Sequence, residues 1–157
     1  MLSIKLQKSG DFFRVDNFAS GSSRLLEKIF PQKILQRQTK EVAEQVAESI
    51  RQNLYKGRKY TGGKVAPLKR STIKRKGHSR VFLDTGKLFN AVIVKKIGTS
   101  FVVQIKDDRS EIAEYLQEGV SGRMKARPFF GITRANLRKI IAEVFANRKL
   151  QSRSGAA

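Results

Sequence analysis

Apolar residues recur at helical spacing between residues 32 and 55. Val42, Val46, Ile50 and Leu54 follow one another at intervals of four positions, so they lie on one face of a helix. The outer face carries pairs of opposite charge three or four residues apart, which are typical of a helix surface in water. The pattern predicts one long helix whose apolar face packs into a core.

Two segments rich in Val, Ile and Phe follow in the second half of the chain, Ala91 to Ile97 and Phe101 to Ile105. Gly98-Thr99-Ser100 separates them, which predicts a β-hairpin. Near the amino terminus, apolar and polar residues alternate on both sides of a turn at residues 8–11. Residues 1–20 are therefore expected to form either a hairpin or an arm that becomes ordered against a partner.

Two further helices are predicted after the hairpin. Asp108 stands three residues before Glu111, which is the spacing of a capping box, so a short helix is expected from Arg109 to Glu118. Farther on, the apolar spacing predicts a final amphipathic helix that ends near residue 147. The small and polar residues 148–157 are expected to form a flexible tail.

Together these elements predict the α+β class, with a small antiparallel sheet packed by a long N-terminal helix and a C-terminal helix. A length of 157 residues fits one domain, which we place at residues 21–147. Glycines and prolines interrupt residues 56–82, and a long basic loop is expected there.

The formal net charge of +20 adds a candidate functional surface to the predicted fold. Residues 56–80 contain ten Lys or Arg and no acidic residue, and residues 120–127 form a second basic loop. Such an excess suits an anionic partner, either nucleic acid, an acidic membrane or an acidic protein surface, although a solvated loop would have the same composition. The candidate contacts with an anion or a neighbouring protein are Lys64, Lys69, Arg70, Lys74, Arg75, Lys76, Arg80, Arg123, Lys125 and Arg127.

Candidate catalytic chemistry is sparse. The chain has no Cys, which excludes disulfides, thiolate metal sites and a cysteine nucleophile. The segment Gly57 to Val65 resembles a phosphate-binding loop, but its Lys comes one residue late and Val65 stands where a Ser or Thr is needed. His78, the only histidine, has no acidic residue within the basic segment to orient it as a general base.

Asp107, Asp108 and Glu111 could hold Mg²⁺ for phosphodiester cleavage, with Lys106 alongside. The end of a hairpin followed by a helix cap accounts for the same residues without a metal. We therefore expect no catalytic residue, no cofactor and no metal site, and we keep a Mg²⁺-dependent nuclease as the third alternative.

Four segments in the second half of the chain carry a family resemblance. Ala66-Pro67-Leu68 is followed by Ser71-Thr72 and Lys76-Gly77, and Leu83-Asp84-Thr85-Gly86-Lys87-Leu88 by Ala91-Val92. Ile112-Ala113 is followed by Gln117-Glu118-Gly119, and then comes Arg127-Pro128-Phe129-Phe130-Gly131-Ile132-Thr133. In this order they resemble motifs of the phage virion morphogenesis family, the tail-completion and head–tail joining proteins of tailed phages.

The resemblance covers about residues 31–147 and has departures. Val65-Ala66 stand where the family has an aromatic residue before Pro67, Ile112 replaces a Tyr, and Leu116 replaces a His. The residues that we assign to the structural motifs are Leu83, Asp84, Thr85, Gly86, Leu88, Gly119, Arg127, Pro128, Phe129 and Phe130.

The resemblance implies a structural virion protein that is not an enzyme. It would complete the tail, or join the tail to the head, as a neck or connector subunit in a homo-oligomeric ring of roughly six or twelve copies. Its partners would be other neck, connector, tail-terminator or tail-tube proteins. The basic loop would meet an acidic neighbouring protein, which we favour, or line a channel that packaged DNA crosses. It would be assembled in the host cytoplasm, lie at the head–tail junction of the virion, and have no membrane partner.

The runner-up from another class is a basic nucleic-acid-binding protein. Two residue-level expectations accompany the leading hypothesis. Phe129 and Phe130 are expected in the core rather than at an interface. The Asp84-Thr85-Gly86 turn is expected to be structural, with Gly86 in a conformation that other residues avoid.

Overall fold

The computed structural model describes residues 3–9, 12–18, 32–83, 85–98 and 100–154, with side chains over 37–83, 85–98 and 100–146. The helices there are α1 (Gln32–Lys56), α2 (Arg70–Lys76), α3 (Lys87–Asn90), α4 (Asp107–Glu118) and α5 (Arg134–Ser154). The strands are β1 (Ser3–Ser9), β2 (Phe12–Phe18), β3 (Val92–Ile97) and β4 (Ser100–Ile105). The predicted α+β class is confirmed.

In the described part of the chain the strands form one sheet in the order β1-β2-β4-β3. β1 and β2 pair antiparallel from Ser3 opposite Phe18 to Ser9 opposite Phe12. β2 pairs antiparallel with β4, with Phe13 opposite Val103. The antiparallel pairing of β1 with β2 corresponds to the hairpin interpretation of residues 1–20.

Helix α1 occupies almost the range that its apolar spacing predicts. Val42, Val46, Ile50 and Leu54 are each 1% exposed or less, so the apolar face is buried as expected. The outer face carries ion pairs such as Lys40 with Glu44, at 3.4 Å between Nζ and Oε1. Among the described residues no helix is both long and apolar enough to cross a membrane.

Backbone packing divides the chain into two compact units. Unit 1 comprises Met1–Val46, Val94–Val103 and Arg134–Ala157, and unit 2 comprises Ala47–Ile93 and Gln104–Thr133. The core of unit 1 includes Val42, Val46, Val102, Val103, Leu137 and Val144. The core of unit 2 includes Ile50, Leu54, Phe82, Leu88, Val92, Ala113 and Phe129.

Two helix boundaries differ from the prediction. Helix α4 starts at Asp107, and its capping residue is Lys106, which makes no side-chain capping bond, so Asp108 is not the cap. Asp107 and Asp108 instead lie in the first turn, where carboxylates are favourable to the helix dipole. Helix α5 continues to Ser154, because residues 148–153 contain strong helix formers and no Gly or Pro before residue 155. The side chains of 147–154, and residues 155–157 of the predicted tail, lie outside what is described.

Candidate anion-binding cleft

Arg127 joins two segments that are far apart in the chain. Its guanidinium donates from Nε to the carbonyl oxygen of Ala66 at 2.9 Å and from Nη2 to that of Pro67 at 3.2 Å. The residue is 6% exposed, and burial lowers the pKa of Arg127 because desolvation disfavours the charged form. Of its two predicted roles, this geometry is that of the structural motif rather than of an exposed anion contact.

Gln117 fixes the end of α4 to the Arg-Pro-Phe-Phe segment. Its Oε1 accepts hydrogen bonds from the backbone N–H groups of Phe129 at 3.1 Å and Phe130 at 3.0 Å. Its Nε2 donates to the carbonyl oxygen of Phe130 at 3.2 Å, and the backbone N–H of Arg127 donates to that of Leu116 at 2.7 Å. The amide of Gln117 thus satisfies two backbone N–H groups and one carbonyl of this segment, and Nδ2 of Asn53 donates to the carbonyl oxygen of Phe129 at 3.4 Å.

Phe129 and Phe130 are 0% and 7% exposed and lie in the core, as predicted. The ring of Phe129 lies 5.2 Å from that of Phe82 and 6.2 Å from that of Phe130, in tilted and edge-on geometries that aromatic pairs favour. The backbone N–H of Tyr60 donates to the carbonyl oxygen of Pro128 at 3.0 Å. The end of the basic segment near Phe82 and its start near Tyr60 are both held to this extended strand-like segment.

Two glycines permit close approaches around the same segment. A Cβ on Gly119 would lie 2.7 Å from the backbone nitrogen of Ala126 and 2.8 Å from the carbonyl oxygen of Met124, and its φ is +81°. A Cβ on Gly131 would lie 2.6 Å from Cγ of the Tyr60 ring. Sequence reasoning missed the contact of Tyr60 and the hydrogen bonds of Gln117, because helical periodicity contains no signal for either. Gln117 does belong to one of the quoted motifs.

The two basic loops line one cleft of about 950 Å³ in unit 2. Its lining residues come from two segments, within residues 66–81 and within residues 116–127. Glu118 is the one acidic residue among the described residues that line it. The basic residues of its wall are Lys69, Arg75, Lys76, Arg123, Lys125 and Arg127.

Turn structure positions the second basic loop. Val120 and Met124 form an isolated antiparallel bridge, with 2.8 Å hydrogen bonds in both directions between their backbone groups. Arg123 lies in the turn that this bridge closes, and both Arg123 and Lys125 are exposed. The loop is therefore held by its backbone, which leaves the basic side chains directed to solvent.

The remaining candidate contacts do not line the cleft. Lys64, Arg70, Lys74 and Arg80 are exposed elsewhere on the basic segment. Helix α2 explains part of this division, because Lys74 and Arg75 are consecutive on a helix and point about 100° apart. The structure thus gathers six of the ten candidates and leaves four outside.

The turn at residues 83–88 has the predicted glycine conformation, with φ of +72° at Gly86. Thr85 is exposed and Leu88 is buried, whereas Asp84 lies outside the described residues. The turn leads into the one-turn helix α3 and not directly into a strand. Burial of Leu88 and bonds from the backbone N–H of Ala91 to the carbonyl oxygens of Lys87 and Leu88 account for this extra turn.

The segment that resembles a phosphate loop is a self-bonded turn. Its backbone N–H groups at Lys59, Gly62 and Val65 donate to the carbonyl oxygens of Gly63, Lys59 and Gly57, each at 3.0 Å. Those donors are therefore not directed at a phosphate site.

Two of the three carboxylates considered for Mg²⁺ have other interactions. Glu111 accepts a 2.8 Å hydrogen bond from the hydroxyl of Tyr115, which raises the pKa of Tyr115, and Asp108 lies 3.6 Å from Arg109 Nε. Over the described ranges, no group of three or more His, Asp or Glu side chains is placed to hold a metal ion. His78 is half-buried, and its Nδ1 has no hydrogen-bond partner among the described residues.

Comparisons of this chain with protein-family models, with curated proteins and with solved structures found no match.

Proposed function

We propose that this protein is a non-catalytic structural component of a tailed-phage virion, which completes the tail or joins it to the head as a ring-forming neck subunit. The observation that carries the proposal is the meeting of the motifs. Arg127 donates hydrogen bonds to the carbonyl oxygens of Ala66 and Pro67, and Gln117 accepts hydrogen bonds from the backbone of Phe129 and Phe130. Three of the four motifs are therefore joined by hydrogen bonds although they are separated along the chain.

This arrangement supports a shared structural plan with the family rather than a chance likeness of short motifs. In each contact the polar side chain binds backbone groups of another motif, so its role is to hold loops in place. A ring subunit needs such a rigid frame and exposed side chains that reach its neighbours. The cleft between the two basic loops supplies those side chains.

The test is a comparison of particles made with and without this protein in the phage that encodes it. We expect electron micrographs of the deletion to show separate heads and tails, and addition of the purified protein to an extract of the deletion to restore joined, infectious particles. Joined particles in normal number without the protein would refute the proposed function. A coat-protein deletion that yields no heads serves as the control for assembly.

A nucleic-acid-binding protein is the second candidate, favoured by the four exposed cations that line the cleft, Lys69, Arg75, Arg123 and Lys125. Such a protein binds a DNA oligonucleotide tightly at physiological salt, and its affinity falls steeply as the salt concentration rises. We expect weak binding that disappears at moderate salt. Tight binding at physiological salt that depends on the cleft cations would favour the second candidate over the first.

A further inference from the structure

The cleft is amphipathic, which its charge alone does not reveal. Leu68, Val81, Leu116 and Met124 line it and are half-buried, so apolar surface faces its interior. Lys69, Arg75, Arg123 and Lys125 line the same cleft and are exposed. A partner that fills the cleft must therefore supply apolar groups as well as negative charge.

Nucleic acid fits this description poorly. Phosphate contacts would satisfy the cations, but bases of a single strand gain affinity by stacking on aromatic side chains. Among the described residues that line the cleft, none is aromatic. Apolar side chains such as Leu116 and Met124 would be left against a charged backbone, with no gain from their burial.

The size and charge of the cleft suit a segment of polypeptide. Its volume of about 950 Å³ is at the upper end of ligand pockets and accommodates several side chains. Lys69, Arg75, Arg123 and Lys125 form no ion pair within the described part of the chain, so their charge is available to carboxylates. A second copy of the chain is a poor occupant, because each copy carries a net charge of +20.

We infer that the cleft binds an acidic peptide segment whose Asp or Glu residues alternate with apolar anchors, presented by a neighbouring virion protein. The assignment of the partner to a virion rests on the proposed function, whereas the peptide chemistry rests on the cleft. Carboxylates of the segment would pair with Arg75 and Arg123 at the rim. Its apolar side chains would pack against Leu116 and Met124.

Three labelled probes test the chemistry on the full-length protein by fluorescence anisotropy: a peptide that alternates Glu and Leu, a Glu and Ser peptide of equal charge, and an oligothymidylate of equal charge. We expect the Glu and Leu peptide to bind about tenfold more tightly than either of the others. Equal binding of the Glu and Ser peptide would overturn the inference, since the apolar surface would then contribute nothing. Tightest binding of the oligothymidylate would overturn it in favour of nucleic acid.

Charge reversals locate the site. Arg75→Glu with Arg123→Glu should weaken binding of the Glu and Leu peptide about tenfold or more, because each reversal replaces an attraction by a repulsion. The matched control is Lys95→Glu with Lys96→Glu, two exposed residues on β3 that do not line the cleft. Both double variants change the net charge equally, from +20 to +16, since each of two reversals removes two charges. An equal loss in the control would overturn the inference in favour of bulk attraction.

A further variant separates the apolar contribution from the electrostatic one. Met124→Ser should weaken the Glu and Leu peptide and leave the Glu and Ser peptide unchanged. The two proposals fail independently: normal particles without the protein refute the virion role while peptide binding stands. Loss of the predicted peptide selectivity refutes the inference even where heads and tails depend on the protein for joining.

Discussion

Arg127 and Arg123 lie four positions apart in one basic loop, yet the structure gives them opposite roles. Arg127 is 6% exposed and donates to the carbonyl oxygens of Ala66 and Pro67, whereas Arg123 is exposed in the turn that Val120 and Met124 close. Replacing each by Ala removes the same side chain from nearly the same stretch of chain. The pair therefore tests whether the buried guanidinium holds the loops together.

The expected loss at Arg127 follows from its two hydrogen bonds. A hydrogen bond with a charged partner contributes about 1.5–3 kcal/mol to stability. Ala66 is half-buried and Pro67 is exposed, so water replaces part of what their carbonyl oxygens lose. We expect Arg127→Ala to lower the free energy of unfolding by about 2–4 kcal/mol, and Arg123→Ala to change it by about 0.5 kcal/mol or less.

Urea unfolding followed by circular dichroism measures these free energies. Because the chain packs as two units, hydrogen exchange of residues 124–132 provides a second, local readout that does not assume a single transition. Arg127→Ala should accelerate exchange of the backbone N–H groups at Phe129 and Phe130, and Arg123→Ala should not. Equal free energies and equal exchange in the two variants would refute the structural role of Arg127.

Three further predictions concern the same frame. Gly119→Ala should lower the free energy of unfolding by about 3 kcal/mol or more, since backbone atoms block the added Cβ. Gly86→Ala, with φ of +72° and open space around it, should lower it by about 1–2 kcal/mol. Urea midpoints compare the two variants. Gln117→Leu should accelerate exchange of the two phenylalanine amides and lower stability by about 2–3 kcal/mol, and a midpoint equal to wild type would contradict its bonding role. Gly131→Ala should be destabilising in wild type and nearly neutral in a Tyr60→Ala background, as a double-mutant cycle would measure.

Local sequence patterns predicted an element well where one of its faces is apolar and the other is exposed to water. The apolar stripe alone predicted the length of α1, because its apolar residues recur with the period of a helix. The start of α4 was predicted two residues late, at Arg109. Capping-box spacing is only one way to begin a helix, and this helix begins after Lys106 without a side-chain cap. Helix α3 was missed, since four residues are too few for a periodic signal.

The frame of the cleft depended on long-range contacts that no local pattern contains. Composition predicted two basic loops, the first of which contains helix α2, but their meeting on one cleft required Arg127 to bridge 60 positions to Pro67. Composition also treated Arg127 and Arg123 alike, because burial is decided by the tertiary environment and not by residue type. The apolar lining was hidden for the same reason, since Met124 stands between two basic residues in the sequence.

The amphipathic cleft bears on how a ring of such subunits would assemble. Copies that each carry a net charge of +20 repel one another at close range, and the repulsion grows with every subunit added. An acidic segment bound in each cleft would reduce the charge of each subunit before its neighbour arrives. On the proposed function, the ring should therefore form on an acidic partner and not in free solution, so a monomeric purified protein is compatible with a ring in the virion.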